Sequence, residues 1–181
     1  MMNVADMSRA ALAAYVQEHL REKGIDTVLS GGACVSVYSD GKYLSMDLDM
    51  IHTSLMYPKR RLLRDAMSEL GFAERGRYFA HADTELFVEF PSGPPAVGEE
   101  PVREIVEIRQ VTGLLRIISP TDCVKDRLTG FYHDDDKQCL EQAILVANEH
   151  PIDLKEVERW SEGEGAGDRF KEIEERLSSG G

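Results

Sequence analysis

The alternation of apolar and polar positions sets out the elements of this chain before any chemistry is considered. Across residues 8–23, Leu12, Val16 and Leu20 recur at helical spacing with Ala11 and Tyr15 beside them, predicting an amphipathic helix that Gly24 stops. Thr27–Ser30 reads as a short strand running into Gly31-Gly32. Over residues 44–51 the period changes to two, so that Met46, Leu48 and Met50 project one way and Asp47 and Asp49 the other. Asp40-Gly41 is the turn that leads into that strand. Pro58 opens a helix through about residue 70, with Leu62, Leu63, Ala66 and Leu70 predicted to face a sheet and Gly71 to end it. Residues 72–74 and 77–79 are short strands around Gly76, and 86–90 is a stronger one, ended by the loop at 91–95. Residues 103–109 and 114–118 form a hairpin through Thr112-Gly113.

Beyond residue 118 the pattern becomes helical. Ser119-Pro120-Thr121-Asp122 is a helix-start signal, and helices are predicted over about 121–132, 137–149, 153–162 and 167–178. This divides the chain into an α/β core, residues 1–118, and a helical region, residues 119–181.

Composition narrows the class. A chain of 181 residues with 42% hydrophobic and 30% charged positions can bury a core, which excludes a disordered tail. No apolar run approaches the roughly 20 residues of a membrane span, and the Met-Met-Asn start lacks the features of a signal peptide. Cys34, Cys123 and Cys139 are scattered and odd in number, the pattern of reduced thiols in a cytoplasmic protein. The net charge of −12 argues against a broad phosphate-binding surface, so a nucleic-acid partner would need a local basic patch.

Candidate chemistry centres on the Asp-x-Asp strand. Two carboxylates one pleat apart repel each other, and magnesium, a hard oxygen-seeking ion, relieves that repulsion. Gly31 and Gly32 let the backbone approach phosphates at a helix N-terminus, with Ser30 and Ser36 as hydroxyl donors. A further carboxylate on a neighbouring strand would complete the metal shell and take a proton. Glu85 and Glu89 are the candidates, and Glu89 is favoured because apolar neighbours flank it.

Gly31-Gly32, a linker of fourteen residues, and Asp47-Leu48-Asp49 together resemble the signature of the DNA polymerase β-like nucleotidyltransferase superfamily. The nearest likeness is to its minimal and AbiEii-type members, over roughly residues 10–118, with a linker at or just past the long end of the usual spacing. The resemblance implies a nucleotidyltransferase-like mixed sheet flanked by helices. It also implies a short helix over 33–38, where β-branched residues alone would give a strand. By the same resemblance, two magnesium ions held by Asp47, Asp49 and Glu89 would support transfer of a nucleoside monophosphate from an NTP to a protein, RNA or small-molecule hydroxyl. An antitoxin partner is implied as well. The Lys-Asp-Arg-Leu run at 125–128 resembles a second AbiEii-type motif in which a lysine, here Lys125, faces the nucleotide. Glu141 and Lys137 depart from that motif's acidic and arginine positions.

Two other readings stand beside this one: a protein of the same fold that binds nucleotide without turnover, and a glycosyltransferase using Asp-x-Asp for a nucleotide sugar. His133-Asp134-Asp135-Asp136 reads as an interhelical loop whose last aspartate caps a helix, and His52 as a structural histidine. Lys59-Arg60-Arg61 with Arg64 reads as a solvated helix face.

Overall fold

Residues 3–54 and 58–178 are described in the computed structural model of the chain. In order they form α1 (Arg9–Glu22), β1 (Thr27–Ser30), α2 (Gly31–Tyr38), β2 (Asp47–His52), α3 (Arg60–Glu69), β3 (Ala73–Arg75), β4 (Tyr78–Ala80) and β5 (Phe87–Glu89). Then follow β6 (Ala96–Val97), β7 (Glu100–Pro101), β8 (Ile105–Gln110), β9 (Gly113–Ile118), α4 (Pro120–Asp134), α5 (Lys137–Glu149), α6 (Leu154–Gly163) and α7 (Gly167–Ser178). Seven strands make one mixed sheet in the order β3-β4-β5-β2-β1-β9-β8, while β6 and β7 pair apart from it. The mixed α/β architecture is the one the sequence predicts.

Strand β2 occupies the middle of the sheet, antiparallel to β1 and parallel to β5. Its inner residues Leu48, Met50 and His52 are buried, and His52 stacks on Phe90 with ring centroids 5.8 Å apart. The strand begins at Asp47, three residues later than the alternation predicts. Ser45 is the reason: its Oγ accepts from the Asp47 amide at 3.3 Å, and its own amide donates to Ser36 Oγ at 2.9 Å, which holds it off the ladder. Met46 consequently lies outside the core at 40% exposure, a correction to its predicted inward face.

Helix α1 starts on a Ser8 cap, whose Oγ accepts from the Ala11 amide at 3.2 Å. Leu12, Val16 and Leu20 are fully buried. Gln17 binds the backbone of Arg116 in both directions at 2.7 and 2.9 Å, laying α1 along β9. Residues 31–38 are helical despite Val35 and Val37. Burial of Ala33, Cys34, Val35 and Tyr38 outweighs their strand propensity. In α3 the inner stripe is Leu63, Ala66 and Met67, while Leu62 is 43% exposed. Leu63, Ala66 and Leu70 of the predicted stripe do pack inward, and Met67 takes the place expected of Leu62, because 63, 66, 67 and 70 share a face at 3.6 residues per turn and 62 turns outward. The β6–β7 ladder is unpredicted, since two-residue strands carry no periodicity.

Strand β9 ends at Ile118 and Ser119 caps α4, accepting from the Asp122 amide at 3.1 Å. The helical region packs back onto the sheet: Cys123 on α4 meets Cys34 on α2, both fully buried. Lys125, 1% exposed, lies between Asp122 at 2.9 Å and Glu156 at 3.2 Å, and Arg103 and Arg159 also bind Glu156. Trp160 donates to the Val97 carbonyl at 3.3 Å, which ties α6 to β6.

The α3 stripe gives a direct test. Met67→Ala is expected to cost about 2–4 kcal/mol and Leu62→Ala less than about 0.5 kcal/mol in urea denaturation; equal costs would restore the predicted face.

Candidate active site

Asp49 is paired across both of its ladders, to Ser30 on β1 and to Glu89 on β5. Residues in register share a sheet face, so Asp49 and Glu89 project together, and Asp47 joins them one pleat away. All three are half-buried. Burial first, then the charges of Glu89 and Asp47, push the Asp49 carboxyl from its ordinary 3.8 up to about 6.

The start of α2 fits against this carboxylate. Gly31 has φ +67°, and a Cβ there would collide with Asp49 Oδ2. Ser30 Oγ donates to the Asp49 carbonyl at 3.4 Å, and Ser30 makes no side-chain cap of α2. Gly32 lies under Ser45 and Tyr43, where a Cβ would sit 3.2 Å from Ser45 Oγ. Ser36 is buried, with its hydroxyl on the Gly32 carbonyl and the Ser45 amide, so it fastens the segment before β2.

The fold thus brings Asp47, Asp49, Glu89, Ser30, Gly31 and Gly32 into one neighbourhood. Glu85 lies exposed ahead of β5, outside the register that aligns Glu89. Lys125 has its ammonium enclosed by Asp122 and Glu156 within the helical region. Three charged residues were not singled out by the sequence reading. Arg77 on the loop before β4 binds Glu89 at 3.3 Å. Asp126 and Arg127 on α4 act electrostatically on Asp49. The signal for Arg127 was present in the run that drew attention to Lys125.

Among the described residues no three His, Cys, Asp or Glu side chains meet around one point, and Glu89 is turned toward Arg77. The donor set nevertheless suits a hard divalent cation: carboxylate oxygens alone, on one sheet face, with a mutual repulsion that a cation removes. A cavity of about 540 Å³ begins just ahead of the paired strands, walled by Met46, Leu86, Arg9, Asp83 and Glu85, with none of the three carboxylates in its wall.

Compared with solved structures, the chain matches the solution structure of the antibiotic-resistance factor ANT(2'')-Ia, described as showing substrate-regulated conformation dynamics. The TM-score is 0.53 at 13% identity, over 96% of this chain and 97% of that one. The fold is nucleotidyltransferase-like. A crystal structure of ANT(2'')-Ia with adenylyl-2''-tobramycin also matches, with a TM-score of 0.46 and 12% identity over 91% and 94% of the two chains. No family model and no curated protein matches the sequence. The likeness speaks for the fold, and the AbiEii-type resemblance rests on the motif residues alone. No helix among the described residues is long and apolar enough to cross a membrane.

Two outcomes are expected. Because the folded chain raises the Asp49 pKa, it prefers that carboxyl protonated; the associated stability is complete below about pH 4 and is lost as pH rises through about 6. Asp49→Asn should therefore melt above wild type at neutral pH, with the difference vanishing near pH 4; a lower melting point at pH 7 would contradict this. Gly31→Ala should destabilise by about 1–3 kcal/mol, and adding Asp49→Ala should recover part of that loss in a double-mutant cycle.

Proposed function

We propose that the chain transfers a nucleoside monophosphate from an NTP to an acceptor hydroxyl. The observation that carries this reading is the register that aligns Glu89 with Asp49 beside a bare Gly31. The amides at the start of α2 and the Ser30 hydroxyl would receive phosphate oxygens, with Ser36 holding the adjoining segment in place. Asp47, Asp49 and Glu89 would hold magnesium, which neutralises charge on the phosphoryl oxygens and on the departing pyrophosphate. The acceptor oxygen bonds to the α-phosphorus while the bond from that phosphorus to the pyrophosphate oxygen breaks. The hydroxyl proton passes to Glu89, and pyrophosphate leaves with the bonding pair. An acceptor would approach through the cavity walled by Met46 and Leu86, the residues that precede Asp47 and Phe87 in the paired strands.

A protein, an RNA end or a small polyol would each supply such a hydroxyl. A toxin–antitoxin setting rests on the motif resemblance and takes no support from the fold. One observation favours a second reading, nucleotide binding without turnover: Glu89 already has a cationic partner in Arg77.

Incubation with each common NTP, labelled at the α-phosphate, and magnesium distinguishes the two. Pyrophosphate release with transfer of label is expected from wild type, falling at least about a hundredfold in Asp47→Asn and Asp49→Asn and disappearing when magnesium is chelated. Equal release from all three proteins would remove the enzyme reading, and calorimetric NTP binding without release would establish the second.

A further inference from the structure

Resting on that reading, we infer that Arg127 is the side chain that binds the polyphosphate tail of the incoming NTP. An NTP adds an anionic tail to a site that already holds three carboxylates, so its binding needs a cation within reach. Lys125 would have to leave Asp122, with a side-chain exposure of 1%, without its cation in the interior, while Glu156 would keep Arg103 and Arg159. Arg127 is under no such restraint. Its side chain is 20% exposed, and its ion-pair partner Asp126 is a neighbour on the same helix with a side chain 26% exposed. Exchanging that carboxylate for a phosphate therefore leaves no deeply buried charge unpaired.

Helical geometry puts Arg127 in the right place. It follows Cys123 by one turn of α4, and Cys123 meets Cys34 on α2, which follows Gly31 by about one turn. The charge of Arg127 acts on Cys34 and Asp49 and also on Asp136 and Cys139 at the start of α5, which sets it between α2 and the turn from α4 to α5. The side chain is also oriented before any ligand arrives. Nε donates to Asp126 Oδ2 at 3.1 Å, a terminal nitrogen donates to the same oxygen at 2.5 Å, and the other donates to Gln142 Oε1 on α5 at 3.3 Å. Gln142 is itself buried, so the fork is held from below while its Asp126 side remains open. A planar fork of N–H donors is the group best matched to paired phosphate oxygens.

The test is calorimetric binding of inorganic pyrophosphate, of the NTP that wild type prefers, and of the matching NMP, each with magnesium. Arg127→Gln is expected to weaken NTP and pyrophosphate about ten- to a hundredfold and to change NMP by less than about twofold, with Arg127→Lys recovering part of the loss. Asp126→Asn removes the competing carboxylate and should tighten pyrophosphate, a gain that damage to the fold would not produce. Unchanged pyrophosphate affinity in both Arg127→Gln and Asp126→Asn overturns the inference while the proposed activity stands. A wild-type chain that binds neither NTP nor pyrophosphate overturns both.

Discussion

The contact between the Asp49 carboxylate and the bare backbone of Gly31 is the constraint on which the rest of the site depends. Strand β1 passes into α2 with no intervening loop, so the first turn of the helix must lie directly over the neighbouring strand. A side chain at position 31 would occupy the volume that Asp49 fills. With glycine there, the helix opens against the carboxylate and Ser30 is drawn into register with it. The chain that leaves α2 is then pulled back over Gly32 by the Ser36–Ser45 hydrogen bond, while Arg9 on α1 donates to the Ser45 carbonyl at 2.5 Å. Arg9 on α1 and the continuous β1–α2 stretch thus fix the approach to β2.

Charge is distributed with the same economy. Against a net −12, a set of arginines and one lysine is gathered around Glu156, Asp122 and Glu100. Asp122 also accepts the backbone amides of Arg103 and Glu104 at 2.9 and 3.1 Å. The helical region is therefore joined to the sheet by a polar fastening as well as by its apolar contacts, and removing Lys125 would leave Asp122 buried without its cation. That fastening explains why a lysine in a suggestive motif has its ammonium enclosed. The charge near Asp49 comes from the next two residues of the same helix.

How much of this was legible in the sequence depended on the range of the interaction. The strand at Thr27–Ser30, the helix stop at Gly24, the Asp136 cap and the turn to helix after residue 118 are local, and short-range rules read them correctly. The alternation around Asp47 and Asp49 also survived, because a two-residue period leaves only two faces to choose between. What escaped was set by distant partners. Helix α2 prevails over its own valines only through burial, Met46 leaves the strand because Ser36 holds Ser45, and in α3 Met67 turns inward where Leu62 was expected. Glu89 could be preferred over Glu85 from its apolar flanks, but its alignment with Asp49 is a property of the parallel β2–β5 pairing. Arg77 reaches Glu89 from a different strand pair, and nothing local announces it.

The β2–β5 ladder has a consequence for how this chain can change over time. Phe87–Glu89 is only three residues long, and its central Val88 lies in the core. Deleting or inserting a single residue within it would exchange the two faces, sending a carboxylate inward and an apolar side chain out beside Asp49. Length variation near the site is thereby confined to the stretches on either side of β5, while the strand itself can vary only by substitution.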